Sequence, residues 1–172
     1  WEVIFDVYEI KDKNKLLEMI SSSQKNYLEL IKNSNAEVTE GFWDLVYELK
    51  NEKGLKLAMV TSSTREQTEI LMEKLEIEDV FDSVVCGDEI KKMKPNPEIY
   101  IKAAKELNLK TREIVVFEDS VAGVESAKNA NMDVIVIWNE KTPQELYKGK
   151  ILDFMSDFTP LPGNLDETKI EQ

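Results

Sequence analysis

Hydrophobic residues follow two different rhythms along this chain, and the change falls near residue 36. In the first part, apolar residues recur at helical spacing, which predicts two helices joined by a polar turn at Lys11–Asn14. The predicted faces contain Trp1, Ile4, Phe5 and Tyr8 in the first helix, and Leu17, Ile20, Gln24, Tyr27, Leu28 and Ile31 in the second. The letters at Val3–Val7 could also be taken for a strand that ends at an acid, but their periodicity favours a helix. Residues 1–35 are therefore predicted to form a helical pair.

Short apolar runs alternate with helical patterns from Ala36 onward. Such runs are typical of buried strands, and they lie at Leu55–Val60, Phe81–Cys86, Ile114–Phe117, Asp133–Trp138 and, as a last edge strand, Ile151–Phe158. Repeated strand–helix units imply an α/β fold with a doubly wound, Rossmann-like parallel sheet. We assign residues 36–160 to this core. Residues 161–172 are mostly polar and are predicted to be an irregular tail.

Capping residues define several helix ends in the core. Ser63 and Glu66 have the spacing of a capping box, and Asn96 followed by Pro97 suits the start of another helix. Ser120 is placed to cap a helix over Val121–Ala130. The next residue, Asn131, can take the left-handed conformation that ends it. Gly54 can end the helix that begins near Phe42, and a short helix is predicted over Thr142–Tyr147.

Composition narrows the classes of function. The chain has 172 residues, of which 34 are acidic and 22 basic, giving a formal charge of -12. A surface so negative repels nucleic acid and anionic membranes alike, so neither is expected as a partner. The chain has no histidine. This excludes histidine-based triads, histidine metal sites and phosphohistidine transfer.

The single cysteine, Cys86, cannot form an intramolecular disulfide, which fits a reducing cytoplasm. Its apolar neighbours indicate a small buried residue rather than an activated thiolate. No apolar run approaches the roughly 20 residues that a membrane-spanning helix needs. Nothing in the sequence indicates an oligomer, and we expect a monomer.

Two neighbouring carboxylates, Glu118 and Asp119, follow the strand at Ile114–Phe117. The carboxyl ends of parallel strands are where open sheets place their ligands. Carboxylates in that position suit Mg²⁺, which takes one or two of them and fills its octahedron with water and phosphate oxygens. The alternative is that both acids only favour the positive end of the following helix.

Two other strand ends carry candidate phosphate-binding groups. Thr61, Ser62 and Ser63 follow the strand LKLAMV, where hydroxyls and free N–H groups can hold phosphate oxygens; helix capping is the alternative, and for Ser63 the better one. Lys94 precedes Pro95, which extends its backbone and can place a compact positive charge over the sheet edge. The nearby Lys91 and Lys92 are interpreted as solvated surface charges.

These three strand ends resemble, in order and spacing, the second, third and fourth motifs of the haloacid dehalogenase superfamily, most closely its β-phosphoglucomutase-like phosphatases. The resemblance covers Phe42–Trp138, in the segments AMVTSS, FDSVVCGDEI, KPNPEIY and VVFEDSVAGVESAKNANMDVI. The paired acids resemble the Mg²⁺-dependent branch rather than the metal-free dehalogenases. The resemblance implies that Asp119 and Glu118 bind Mg²⁺. It also implies that Thr61 and Ser62 bind phosphate, and that Lys94, with Thr61, serves the phosphoryl transfer.

The first motif of that family, DxDGT, has no match in this chain. FDVYEI is the nearest imitation, but Tyr8 stands where the second aspartate belongs, Glu9 replaces the glycine, and the periodicity is helical. Asp6 is therefore not expected to be the nucleophile. By resemblance, residues 1–35 are part of the helical cap, with Trp1 and Tyr8 either lining its cleft or packing within the helical pair. The first motif would then lie upstream of Trp1.

The resemblance implies Mg²⁺-dependent phosphoryl transfer on a small phosphorylated metabolite such as a sugar phosphate, through an aspartyl-phosphate. Two alternatives stay open. One is a catalytically inactive binding or scaffold module on the same fold, and the other is a generic doubly wound binding domain, since a fold does not fix a function.

Overall fold

The structure is a computed structural model, and it describes residues 12–159. The predictions for the first helix, for the FDVYEI segment and for the tail at 161–172 lie outside the described residues. The second predicted helix is confirmed as α1, Lys13–Asn33. Asp12 caps its N-terminus, and the Asp12 carboxylate accepts hydrogen bonds from the N–H groups of Asn14 and Lys15. Among the described helices, none is long and apolar enough to cross a membrane.

Helix α2, Phe42–Tyr47, continues as a π-helical turn over Glu48–Glu52. Gly54 follows it in the left-handed conformation, with φ of 64°, as predicted for a residue that ends the helix. The strand expected from Leu55 is shorter, because β1 spans only Ala58–Val60. The residues before β1 belong to the end of the preceding helical segment, where the N–H of Leu55 donates to the carbonyl of Leu49.

The five short strands among residues 12–159 are all parallel to their neighbours, as the alternation of elements predicts. Strand β1 pairs with β2, Ser83–Val85, while β3, Val115–Glu118, pairs with β4, Asp133–Ile137, and β4 pairs with β5, Asp153–Met155. The parallel α/β architecture is confirmed. Within residues 12–159, its hydrogen bonds form a two-stranded sheet, β1–β2, and a three-stranded sheet, β3–β4–β5.

The remaining helices connect these strands. They are α3, Arg65–Leu75, α4, Glu98–Leu107, and α5, Val121–Asn129, with 3₁₀ turns at Gly87–Glu89, Thr111–Glu113 and Gln144–Leu146. The capping box of α3 was predicted one residue too early. Thr64 is the cap and Gln67 its partner, not Ser63 and Glu66. The helix expected at Thr142–Tyr147 is only the last of these 3₁₀ turns.

Apolar side chains cover both faces of the β1–β2 sheet. Ala58 and Val60 belong to a core that includes residues of α4, α5 and the β3–β4–β5 sheet. Leu57 and Met59 point the other way, into a second cluster around Met72 of α3. Helices therefore lie on both sides, and the polar residues of interest lie at the carboxyl ends of β1 and β3.

Candidate active site

The carboxylate of Glu118 is the most heavily hydrogen-bonded side chain at these strand ends. It lies at the end of β3 and is only 8% exposed. One oxygen, Oε1, accepts from the ammonium of Lys94 and from the hydroxyl of Tyr100 at 2.9 Å. The other, Oε2, accepts from the N–H of Asp119 at 3.0 Å and from the N–H and hydroxyl of Ser120 at 2.9 and 3.0 Å. Five donors thus fix this carboxylate, as a buried charge requires.

Lys94 reaches Glu118 because helix α5 holds the loop that carries it. The buried hydroxyl of Ser126 donates to the carbonyl of Asn96 at 2.7 Å, and the side-chain amide of Asn129 donates to the carbonyl of Pro95 at 3.0 Å. The lysine ammonium also lies 5.0 Å from the centre of the Tyr100 ring, within range of a cation–π contact.

Burial and the neighbouring positive charge of Lys94 have opposite effects on the pKa of Glu118. Burial alone would raise the pKa of this carboxyl, but the charge and hydrogen bond of Lys94, together with the donors of Ser120 and Tyr100, hold the pKa below its ordinary value. Burial and the neighbouring Glu118 charge both raise the pKa of Tyr100. Tyr100 is therefore a neutral donor and Glu118 an ionised acceptor.

The start of α5 is shaped around the same carboxylate. Ser120 is the cap of this helix, as predicted, and its Oγ accepts from the N–H of Gly123 at 3.0 Å. A Cβ on Gly123 would overlap the Glu118 carboxyl group. A glycine at this position leaves the space that the buried carboxylate fills.

Asp119 differs from Glu118 although the two residues are adjacent. Its side chain is exposed, and its carboxylate forms no hydrogen bond within residues 12–159. Its backbone carbonyl accepts from the buried hydroxyl of Tyr147 at 2.9 Å, which holds the backbone in place. Asp119 therefore offers free carboxylate lone pairs at the end of β3.

These residues fit a hard cation only in part. The oxygens of Asp119 are available as ligands, whereas those of Glu118 are already engaged by five donors. In the described part of the chain, no group of three histidine, cysteine, aspartate or glutamate side chains is arranged to hold a metal ion. Mg²⁺ tolerates such a sparse set because water and phosphate oxygens complete its octahedron.

Thr61 and Ser62 follow β1, and their described hydrogen bonds are separate from those of Glu118. The N–H of Thr61 continues the ladder to the carbonyl of Val85 at 3.0 Å, and its hydroxyl accepts from the N–H of Ser63 at 3.1 Å. Ser62 is exposed. Within residues 12–159, no hydrogen bond joins Thr61 or Ser62 to Lys94, Glu118 or Asp119.

A glycine also shapes the Thr61 end. The N–H of Gly87 donates to the carbonyl of Ser63 at 2.8 Å, and a Cβ on Gly87 would overlap the carbonyl of Ser62. The turn after β2 therefore packs directly on the backbone after β1. This close approach holds the Thr61–Ser63 backbone in one conformation.

Sequence reasoning missed Tyr100 as a partner of Glu118. Tyr100 lies on the buried face of α4 and is only 4% exposed. A buried tyrosine needs a partner for its hydroxyl, and that rule was the available signal. Cys86 is fully buried and burial raises the pKa of its thiol, which confirms the apolar interpretation. Lys91 and Lys92 are exposed, as expected for surface charges.

Comparison with known proteins shows the family. The model of the haloacid dehalogenase-like hydrolase family matches residues 2–137. A phosphorylated carbohydrates phosphatase from Thermotoga maritima is 35% identical over 135 residues, which are 77% of this chain and 60% of that protein. Protein CbbY from Rhodobacter capsulatus is 30% identical over 138 residues, 78% of this chain and 58% of that protein. The chain thus spans less than two thirds of these relatives.

Solved structures of related proteins are also similar to this chain. CbbY from Rhodobacter sphaeroides, in complex with xylulose-(1,5)bisphosphate, has a TM-score of 0.75 at 26% identity, over 85% of this chain and 65% of that one. A β-phosphoglucomutase from Clostridium difficile has a TM-score of 0.79 at 22% identity, over 97% of this chain and 73% of that one, and it supports the fold. With helices on both sides of parallel strands and the family model matched over most of its length, this chain belongs to the haloacid dehalogenase-like hydrolase family.

Proposed function

We propose that this protein is a phosphatase, or a phosphomutase, that acts on a small phosphorylated carbohydrate. The observation that carries the proposal is the contrast at the end of β3, where Asp119 keeps a free carboxylate while Glu118 holds Lys94. A relative named as a phosphorylated carbohydrates phosphatase supports this substrate class. Cys86, a lone buried thiol, suits a reducing cytoplasm. Separately, we expect the protein to act as a monomer.

Each site residue would contribute one task. Thr61 and the N–H of Ser62 would bind phosphoryl oxygens at the end of β1. Lys94 would balance negative charge at the end of β3, with Glu118 and Tyr100 fixing its position. Asp119 would hold Mg²⁺, and a water ligand of the ion would have to replace one of the five donors of Glu118 for that carboxylate to take part. When bound, the ion would supply positive charge beside the transferred phosphoryl group.

The attacking group would be an aspartate that is not among residues 12–159. Its carboxylate oxygen would displace the substrate oxygen from phosphorus in line, giving an aspartyl-phosphate that water then hydrolyses. The described residues would hold the phosphoryl group and balance its charge during both steps. We expect no phosphate release from the 172-residue chain itself, and release by it would contradict this assignment of the nucleophile.

Replacement of Asp119 tests the assignment in the complete enzyme. Asp119→Asn keeps the shape but removes the charge, and we expect Mg²⁺-dependent phosphate release to fall at least about 100-fold, since several kcal/mol of charge stabilisation are lost. Glu125→Gln, at an exposed position of α5, is the matched control and should keep its activity. An Asp119→Asn enzyme that still hydrolyses a panel of sugar phosphates would refute the proposal.

A catalytically inactive binding module is the second candidate. It is favoured by the hydrogen bonds that already occupy both carboxylate oxygens of Glu118. Of the two neighbouring acids at the end of β3, only Asp119 then has a free carboxylate. Such a module would release no phosphate from any sugar phosphate even as the native gene product. A measurable rate for that product, lost in Asp119→Asn, decides for the enzyme.

A further inference from the structure

The turn that follows β2 packs against the turn proposed to bind phosphate, Thr61–Ser63. The N–H of Gly87 donates to the carbonyl of Ser63 at 2.8 Å, and a Cβ on Gly87 would overlap the carbonyl of Ser62. Ser62 itself is exposed, so its N–H is accessible to a ligand. The direction of that N–H therefore depends on how firmly the two turns are joined.

Asp88 joins the two turns a second time. Its Oδ1 accepts from the N–H of Arg65 at 3.0 Å, although the two residues are 23 positions apart. Arg65 is the first residue of α3, where backbone N–H groups have no partner inside the helix. The local cap, Thr64, accepts from the N–H of Gln67 instead. Asp88 thus completes the capping of α3 from the neighbouring turn and fixes the residue that follows Thr61–Ser63 and the cap.

The side chain of Arg65 makes a third connection. Its Nε donates to Oε1 of Glu89 at 2.9 Å, and its Nη2 contacts the same oxygen. Nη2 also donates to the carbonyl of Val84 in β2 at 2.6 Å. The donors of a guanidinium have fixed directions, so these bonds set the position of Arg65 more closely than a lysine could. One side chain therefore ties the start of α3 both to β2 and to the turn after it.

Glu89 is held from two sides. Lys102 of α4 donates to its Oε2 at 2.6 Å, while Arg65 of α3 holds Oε1. Helices α3 and α4 pack on opposite faces of the β1–β2 sheet, so Glu89 links the two helix layers. The hydrogen bond from Lys102 outweighs the effect of burial and, together with Arg65, lowers the pKa of Glu89 to about 2. Glu89 is therefore ionised at neutral pH.

The same contacts balance charge beside a site for an anion. Asp88 and Glu89 place two negative charges on the turn that packs against Thr61–Ser63, in a chain with a formal charge of -12. Arg65 and Lys102 bring two positive charges to Glu89. Acids without such partners would repel a phosphate bound at the neighbouring turn.

Exposure argues against a role in stability alone. The side chains of Arg65 and Glu89 are 36% and 24% exposed, and that of Lys102 is 33% exposed. Ion pairs with this much contact with water contribute little to the free energy of unfolding. What the connected contacts do supply is a fixed geometry for three elements that meet at the Thr61–Ser63 turn.

We propose that a clamp of four side chains positions the Thr61–Ser63 turn for phosphate binding, and its members are Arg65, Asp88, Glu89 and Lys102. They are positioning residues, because they act through the backbone of the turn and the charge around it rather than by touching the substrate. The inference rests on the proposed function, in which this turn binds the phosphoryl oxygens.

Amide hydrogen exchange in the 172-residue chain tests the clamp without catalysis. Asp88→Ala removes the acceptor of the Arg65 N–H, whereas Asp88→Asn keeps an oxygen in the same place. We expect exchange at Arg65 and Gly87 to become at least about 10-fold faster in Asp88→Ala and to stay within about twofold of the wild type in Asp88→Asn. Exchange at Val134, in the doubly paired strand β4, reports global opening and should not change. Equal acceleration at Val134, equal effects of the two variants, or no acceleration at Arg65 would overturn the clamp.

Inhibition of the complete enzyme by inorganic phosphate tests the positioning role. Glu89→Gln removes the charge that binds Arg65 and Lys102, and we expect KM for a sugar phosphate and Ki for inorganic phosphate to rise together by about 10-fold. A variant that is merely less stable would have a smaller active fraction, and so a lower apparent kcat, with both constants unchanged. Glu73→Gln, at an exposed position of α3, is the matched control and should keep all three parameters.

The failures of the two proposals have different signatures. A wild-type enzyme that releases no phosphate from sugar phosphates refutes the proposed function, and with it this role of the clamp. An active wild-type enzyme with the same KM and Ki as Glu89→Gln refutes the clamp alone.

Discussion

The two ends of the candidate site differ in how far the described residues complete them. At the Glu118 corner, formed by Lys94, Tyr100, Glu118 and Ser120, every oxygen of a buried carboxylate has a donor. At the Thr61 corner, formed by Thr61–Ser63 and Gly87, the side chains are partly exposed and their bonds are local. A buried charge without hydrogen-bond donors would destabilise the folded chain. A hydroxyl at the surface can instead hydrogen-bond to water until a ligand binds.

The largest effect should follow from removing Lys94. Lys94→Met leaves Glu118 charged and buried without its main partner, so we expect a loss of about 3 to 5 kcal/mol in the free energy of unfolding. Urea denaturation measures it. Lys91→Met, at an exposed position of the same loop, is the control and should change the free energy of unfolding by no more than about 0.5 kcal/mol. Equal losses in both variants would show that the Glu118 corner does not depend on its ion pair.

Acid should remove part of the same stabilisation. The pKa of Glu118 is lower in the folded chain than its ordinary value of about 4.3, so its contribution is fully present above that value and is lost as pH falls through the folded pKa. We expect the difference in stability between the wild type and Glu118→Gln to shrink from pH 6 to pH 3. Urea midpoints across that range measure it. A constant difference would contradict an ionised Glu118 in the folded state.

The glycines of the two corners offer a direct comparison. Gly123→Ala would place a methyl group on the Glu118 carboxylate, and Gly87→Ala would place one on the Ser62 carbonyl. We expect each to lower the free energy of unfolding by about 1 to 3 kcal/mol, although alanine in a helix returns up to about 1 kcal/mol for Gly123→Ala. Thermal melts at pH 6 and pH 3 separate the two, because only Gly123→Ala should also weaken the pH dependence. The same pH response in both variants would argue against two independent corners.

The smallest effect on stability is expected at Thr61. Thr61→Ala removes one local hydrogen bond to the Ser63 N–H, so the free energy of unfolding should fall by about 1 kcal/mol or less. In the complete enzyme, the same variant should lose phosphate release, while Thr61→Ser keeps the hydroxyl and part of the rate. A fully active Thr61→Ala enzyme would remove Thr61 from the proposed phosphate site.

Membership of the family establishes the fold of this chain but not the role of each residue at the two corners. The family model shows what kind of fold to expect, and one relative is a phosphorylated carbohydrates phosphatase. Which of the site residues bind phosphate or metal in this protein is a separate question. The variants above address it at one corner at a time.

Much of the local structure could be predicted because it depends on near neighbours in the sequence. The apolar run ending at Phe117 forms β3, Ser120 caps α5, and Asn131 takes the left-handed conformation with φ of 58°. Local pattern could not decide the cap of α3. Both Ser63 and Thr64 have a suitable Glu or Gln three residues later, and the structure selects Thr64.

What the sequence determined by itself was the alternation of helices and parallel strands, and the order of Thr61, Lys94 and Asp119 along the chain. Only the tertiary structure decided that Glu118 is enclosed by Lys94 and Tyr100 while the carboxylate of its neighbour Asp119 has no hydrogen bond to another described residue. The physical reason is distance along the chain. Capping and periodicity are set within a few residues, whereas contacts between residues 94, 100 and 118 exist only after separate helices and strands have packed on one core.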